Sequence, residues 1–79
     1  MSASAEHRLV VLADLGREYA DLLVVIRREV AALLADDVGW TAVAAALGCT
    51  RQVVRAHFLD WPRYRQLNRA RNRAAAAAE

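Results

Sequence analysis

A short stretch of the chain carries side chains that can contact the edges of DNA bases. They are Arg51, Gln52, Arg55 and Ala56. Arginine can donate two hydrogen bonds to guanine O6 and N7, glutamine can pair with adenine N6 and N7, and an alanine methyl can meet the thymine methyl. We predict that Arg51 and Gln52 contact bases and that Arg55 contacts a base or a phosphate. The alternative is that both arginines contact phosphates only.

The residues around this stretch meet the steric demands of a helix-turn-helix. In that motif two short helices cross through a tight turn, so the crossing needs a small residue and the turn needs glycine. Within residues 40–58, Ala44 is placed at the crossing, Gly48 in the turn, and Thr50 as N-cap of the second helix. Thr50 and the amides of the first turn are also placed to hold a phosphate. The residues that would point inward or plug the turn are Val43, Leu47, Cys49, Val54 and Phe58.

The same segment resembles a known family. Residues 40–58 read W-T-A-V-A-A-A-L-G-C-T-R-Q-V-V-R-A-H-F. They are similar to the small helix-turn-helix domains common in actinobacteria and their phages, whose pattern is W-x-x-I-[GA]-x-x-L-G-[VC]-[ST]-R-Q-x-[AV]-x-x-x-F. The resemblance covers residues 20–58 and implies a DNA-binding regulator. Gly39 departs from the Ser or Thr that the family uses as a cap, so Asp36 or Asp37 is the alternative cap. Trp40 is expected to pack, with a phosphate contact as the alternative.

A long amphipathic helix is predicted over residues 4–37, with Ser4 as its N-cap and Gly39 as its stop. Gly16 costs roughly 1 kcal/mol in a helix interior. The helix therefore either breaks there and folds back as a hairpin, or continues for about 50 Å and packs against a partner. Apolar residues recur at steps of three and four: Leu12, Leu15, Tyr19, Leu22, Ile26, Val30 and Leu33. A second set, Leu9, Leu23, Val24, Val25 and Leu34, widens this face. Such a wide face favours a homodimer through residues 9–34.

The last segment is predicted to be a basic helix over residues 60–78, entered through Asp60-Trp61-Pro62. Residues 1–49 carry four arginines and seven acidic residues, whereas residues 50–79 carry seven arginines and two acidic residues. A basic half of this kind is typical of a nucleic-acid binder. Its arginines are spaced all round the helix. This distribution suits a helix that follows the DNA backbone, or an arm that becomes ordered when it binds DNA. A solvated helix is the alternative. The predicted DNA contacts here are Arg63, Arg65 and Arg69.

Composition limits the other classes of function. A chain of 79 residues is one small domain, and every segment reads as helix, so the fold class is all-α. Cys49 is the one cysteine and suits a reducing cytoplasm. The longest run of large apolar residues, 22–26, is far short of a membrane span. His7 and His57 stand alone, and no catalytic set or glycine-rich phosphate loop is visible. We expect no enzyme, no cofactor, no metal and no small-molecule substrate.

These observations predict sequence-specific binding of double-stranded DNA by a dimeric helix-turn-helix protein in the bacterial cytoplasm. It would be a transcriptional regulator or an accessory factor of a phage or mobile element, with half-sites ~34 Å apart. One alternative is a protein-interaction module that uses the apolar face of residues 9–34. Another is a nonspecific, nucleoid-type DNA binder. A third, the DNA-binding piece of a recombinase, is weakened because no catalytic part is visible in the chain.

Overall fold

The computed structural model describes residues 2–78, which form four α-helices and no β-strand. The helices are α1 (Ala3–Ala35), α2 (Trp40–Leu47), α3 (Arg51–His57) and α4 (Trp61–Ala78). The predicted all-α class is confirmed. No helix within this range combines the length and the apolar composition that crossing a bilayer would need.

α1 is a single helix of 33 residues. The hydroxyl of Ser2 accepts a hydrogen bond from the backbone N–H of Ala5 (3.1 Å), so Ser2 is the N-cap. The prediction of Ser4 as the cap is wrong, because Ser4 already lies in the first turn. The helix continues through Gly16 without a break, which excludes the hairpin alternative. At 1.5 Å per residue its length is about 50 Å.

α1 ends earlier than predicted, and aspartate rather than glycine makes the turn. The backbone N–H of Val38 donates to the carbonyl of Leu33 (3.0 Å), and that of Asp37 donates to Leu34 (3.2 Å). These two bonds are the Schellman pattern, in which the residue after the C-cap adopts a left-handed conformation. Asp37 does so, with φ of 66°. The sequence prediction of a helix through residue 37 stopped by Gly39 is therefore wrong.

Gly39 has a different role, as the N-cap of α2. Its backbone is extended, and no side-chain hydrogen bond caps this end of α2. The alternative prediction, that Asp36 or Asp37 caps α2, is therefore wrong as well. Both aspartates belong to the end of α1.

The connection between α2 and α3 has the local features that the sequence predicts. Gly48 has φ of 67°, and the N–H of Cys49 donates to the carbonyl of Ala44 (3.0 Å). The hydroxyl of Thr50 accepts from the N–H of Val53 (3.2 Å), so Thr50 caps α3. A β-carbon at φ near +67° meets the following carbonyl, which is why glycine suits this position.

The core lies where α2 and α3 meet the last third of α1. Its centre is Val54 of α3, which has no solvent-exposed surface. The other buried members of this core are Val30, Ala31, Leu34, Val43, Ala44 and Leu59. Of the residues predicted to point inward, Val43, Ala44 and Val54 are buried, and Leu47, Cys49 and Phe58 are half-buried against them. These predictions are confirmed.

α4 packs along α1 and runs in the same direction. Asp60 caps α4, since its carboxylate accepts from the N–H of Arg63 (3.2 Å). At the start of α4, Trp61 lines one depression with Val24 of α1, and near its end Arg71 binds the carbonyl of Ala35. The half-buried residues on the packed face of α4 are Trp61, Tyr64, Leu67 and Asn68.

Arg71 joins α4 to the end of α1. Its guanidinium donates to the carbonyl of Ala35 (2.8 Å) and pairs with the carboxylate of Asp37. A cation there also interacts favourably with the negative end of the helix dipole. We expect Arg71→Ala to lower the free energy of unfolding by about 1–2 kcal/mol, because a charged hydrogen bond and the dipole interaction are both lost.

Arg73→Ala is the matched control, since Arg73 is exposed on the same helix. Urea unfolding followed by circular dichroism measures both variants. Equal stability of the two would show that Arg71 does not hold α4 in place.

Much of α1 lies outside the core. The molecule measures 68 × 21 × 15 Å, and α1 spans most of the long dimension. From the predicted periodic set only Val30 is buried, and Ile26 is half-buried. We call the exposed part of this set that precedes Ile26 the apolar stripe: Leu12 (64% exposed), Leu15 (54%), Tyr19 (54%) and Leu22 (60%). The period identified an apolar face correctly, but only Ile26 and Val30 of that face pack against the core in this chain.

Candidate nucleic-acid interface

The outward face of α3 carries the predicted base-contacting residues. Arg51, Gln52, Arg55 and Ala56 are exposed, while Val54 on the same helix is buried. One turn separates Arg51 from Arg55, so these two side chains lie on one face. With Gln52 and Trp40 they line a shallow depression. The structure therefore places three of the predicted residues around one concave surface.

Arg55 is held against two aromatic rings. Its guanidinium carbon lies 5.4 Å from the ring centroid of Trp40 and 5.8 Å from that of Trp61. Both distances fall within the range in which a cation is attracted to the face of an indole. Arg55 is therefore oriented before any ligand arrives, while its side chain stays exposed.

Trp61 links α3 to α4. Its indole N–H donates to the backbone carbonyl of Arg55 (3.2 Å), and its ring lies 6.3 Å from Trp40 and 6.1 Å from Tyr64. The guanidinium of Arg65 lies 5.8 Å from the Trp61 ring. We call Trp40, Arg55, Trp61 and Arg65 the aromatic–arginine cluster. It joins the starts of α2 and α4 to the middle of α3.

The exposed side of α4 forms a second basic surface beside this cluster. Arg63, Arg65 and Arg69 lie there with Gln66 along one shallow groove. All three arginines are exposed and have no acidic partner within residues 2–78. The sequence suggests that the arginines wrap round α4. The structure separates Arg71, which binds α1, from the three arginines of this groove.

A hydrogen bond from α1 fixes the far end of α3. The Nε of Arg27 donates to the backbone carbonyl of His57 (2.8 Å), which satisfies a free carbonyl at the helix C-terminus. Together with the cap at Thr50, this bond holds α3 at both ends. Thr50 and Ala56 are exposed, but neither lines the two depressions described above. Their predicted contacts with DNA remain predictions.

Sequence reasoning missed the part that Trp61 plays in this surface. Trp61 follows the capping Asp60 and was interpreted only as the entry to a helix. A signal was present, because Trp61 and Tyr64 are three residues apart and lie on one face of α4. That spacing predicts an aromatic packing face, yet it does not reveal that Arg55 of another helix lies against it.

The described part of the chain shows no cluster of metal-ligating residues. No three His, Cys, Asp or Glu residues among residues 2–78 come together as metal ligands would. Cys49 is half-buried and packs against the core, as predicted for a residue that plugs the turn. Comparison with protein-family models, with curated proteins and with solved structures found no match.

Proposed function

We propose that this protein binds double-stranded DNA in a sequence-specific manner. In this proposal α2 and α3 act as a helix-turn-helix, and α3 enters the major groove. The observation that carries the proposal is that α3 has one face buried in the core and the opposite face exposed. Val54 anchors it in the core without exposed surface, while Arg51, Gln52 and Arg55 are presented outward together. A helix presented in this way can bring side chains to base edges while its scaffold stays fixed.

Within this proposal the two arginines of α3 have different tasks. Arg51 is exposed at the first turn of α3, the part of a recognition helix that reaches base edges. Arg55 lies against Trp40 and Trp61, so its guanidinium is held at the edge of the helix. We assign Arg51 and Gln52 to base contacts and Arg55 to a phosphate. This choice narrows the sequence prediction, which left both options open for Arg55.

The groove of α4 supplies further phosphate contacts in the proposal. Arg63, Arg65 and Arg69 add positive charge next to α3, and Arg65 shares the Trp61 ring with Arg55. Phosphate contacts provide most of the affinity and fix the register of a protein on DNA, whereas base contacts provide the specificity. α4 would therefore lie against the backbone beside the major groove.

The proposal includes a homodimer formed through α1, acting on the bacterial nucleoid as a regulator or as an accessory factor of a phage or mobile element. The support for a second copy is the exposed apolar stripe, because contiguous apolar patches on a protein surface commonly mark interaction sites. Two copies would present two α3 helices to two half-sites. A symmetric protein of this kind binds a palindromic sequence.

Selection of bound sequences from a random pool of double-stranded DNA tests the proposal. The expected result is a palindrome, and affinity for it should fall steeply with salt. A steep salt dependence without any preferred sequence would replace specific recognition with nonspecific, nucleoid-type binding. Absence of binding even at low salt would indicate a protein-interaction module.

Arg51→Ala separates base contacts from phosphate contacts. We expect it to relax the preference at one base pair of each half-site by about 1–3 kcal/mol, because a bidentate contact to guanine is lost. Arg69→Ala is the comparison, and it should weaken binding to all sequences alike and reduce the salt slope by about 2, since each copy of the dimer loses one phosphate contact. Competition binding with single-base variants of the selected site measures both effects. An equal loss on every sequence with Arg51→Ala would refute its assignment to a base.

A further inference from the structure

The free face of α1 continues further than the apolar stripe alone. Between Arg8 and Leu33, every third or fourth residue lies on this face. The steps alternate strictly between four and three residues, which is the spacing of a two-helix coiled-coil seam. The members in order are Arg8, Leu12, Leu15, Tyr19, Leu22, Ile26, Glu29 and Leu33. Leu33, the last of them, is 41% exposed although it lies beside the core.

The rest of the fold leaves this seam uncovered except at Ile26, which is half-buried against the core. Arg71 of α4 binds the carbonyl of Ala35, and Val24 and Ala32 of α1 line depressions together with residues of α4. On a helix, Val24 and Ala35 lie on the side opposite to Leu15, Tyr19 and Leu22. α2 and α3 cover a third side through residues 30–34. A second helix can therefore lie along residues 8–22 of the seam without displacing any element of the chain.

We infer that a second copy of this chain occupies the seam, with the two α1 helices antiparallel and crossing near residue 17. The inference rests on the proposed homodimer and specifies its geometry. In this register Leu12 faces Leu22 of the second copy, and Leu15 faces Tyr19. The apolar layers then fill the centre of the contact, and each copy contributes the same surface to it, as a two-fold interface requires.

Charge at the two ends of the seam selects the antiparallel direction. In a parallel, in-register pair each seam residue faces its own copy, so Arg8 would face Arg8 and Glu29 would face Glu29. Like charges opposed in this way are destabilising. In the antiparallel register Arg8 lies within one turn of Glu29 of the second copy. Arg8 and Glu29 are both exposed and have no oppositely charged partner within residues 2–78.

Gly16 fits the same arrangement. It is helical, and a β-carbon built on it would meet no atom within 4 Å in this chain. The chain itself therefore gives no packing reason for glycine at a position where alanine would favour the helix more. In the antiparallel register Gly16 of each copy flanks the two-fold axis. Because glycine has no side chain, Gly16 adds no bulk beside the contact between the two helices.

The antiparallel register also separates the two α3 helices by a distance close to the spacing of DNA half-sites. The bond from Arg27 to His57 places the end of α3 level with residue 27, which is ten residues from the crossing. The two copies of this point are then about 30 Å apart along α1, at 1.5 Å per residue. Successive major-groove half-sites lie ~34 Å apart. A parallel pair would instead place both α3 helices at the same level along α1.

Cysteine cross-linking distinguishes the two directions. In a Cys49→Ala background, Leu12→Cys and Leu22→Cys are purified separately and oxidised either alone or after mixing, without DNA. We expect a disulfide-linked dimer from the mixture and little from either protein alone, because the two copies of residue 12 lie about 15 Å apart in the antiparallel register. Ala20→Cys, which faces away from the seam, is the control and should not cross-link in any combination.

Rapid cross-linking of Leu12→Cys with itself would overturn the inference in favour of a parallel pair. Absence of any cross-link would overturn it as well, and sedimentation of the wild-type chain would then show whether a dimer forms at all. DNA selection with the wild-type protein is scored separately. A selected palindrome together with parallel cross-linking would refute the antiparallel geometry but would still support the proposed DNA binding.

Discussion

Leu22→Glu is expected to make the protein monomeric and to weaken binding to its palindromic DNA by at least about 100-fold. Leu22 is 60% exposed in the chain alone, so the substitution should not disturb the core. In the proposed dimer each copy would bring one new carboxylate into the apolar contact. Burying an unpaired charge costs several kcal/mol, and the two-fold symmetry applies that cost twice.

Ala20→Glu provides the matched control for this prediction. It adds the same charge to the same helix, but on the side away from the seam. Analytical ultracentrifugation should show a dimer for Ala20→Glu and a monomer for Leu22→Glu, with equal helical content in circular dichroism. If both variants bound DNA as tightly as the wild type, the apolar stripe would have no part in DNA recognition.

The local structure around α3 could be predicted from sequence because each residue there meets a requirement set by its near neighbours in the chain. Gly48 takes a left-handed conformation, Thr50 caps the following helix, and Val54 is the residue on the buried side. These requirements involve neighbours within one or two turns. They leave few alternatives, and the structure shows all three in the predicted roles.

The end of α1 could not be predicted as well, because several residues there can make the turn. Glycine is the usual residue in a left-handed conformation, so Gly39 was the natural prediction for the stop. Aspartate also tolerates this conformation, and Asp37 gains a partner in Arg71. Arg71 comes from a helix more than thirty residues further along the chain. A pairing between such distant residues leaves no trace in a local pattern.

The apolar face of α1 shows a different limit of sequence reasoning. Periodicity identifies which residues share a face, yet it does not say what covers that face. Tyr19 and Leu22 share the period of Val30, but only Val30 reaches the core. The core instead adds Ala31 and Leu34, whose positions on the helix are turned away from the stripe. Of two neighbouring apolar faces of one helix, one packs in the core and the other is exposed.

Trp61→Ala is expected to cause the largest loss of stability among single substitutions outside the buried core. Trp61 packs against the core, contacts the rings of Trp40 and Tyr64, and donates a hydrogen bond to Arg55. Because it is half-buried, we expect a loss of about 2–3 kcal/mol, somewhat below the range for a fully buried tryptophan. A domain of this size has only about 4–12 kcal/mol of stability in total.

Trp61→Phe separates the packing of this residue from its effect on the arginines. Phenylalanine keeps an aromatic ring in the core contact but removes the indole N–H and weakens the attraction for Arg55 and Arg65. It should therefore retain the fold, lose about 1 kcal/mol of stability, and bind all DNA sequences more weakly with unchanged sequence preference. Pro62→Ala, an exposed neighbour in the same turn, is the control. If Trp61→Phe changed the preferred sequence instead, Arg55 would contact a base, and its assignment to a phosphate would have to be abandoned.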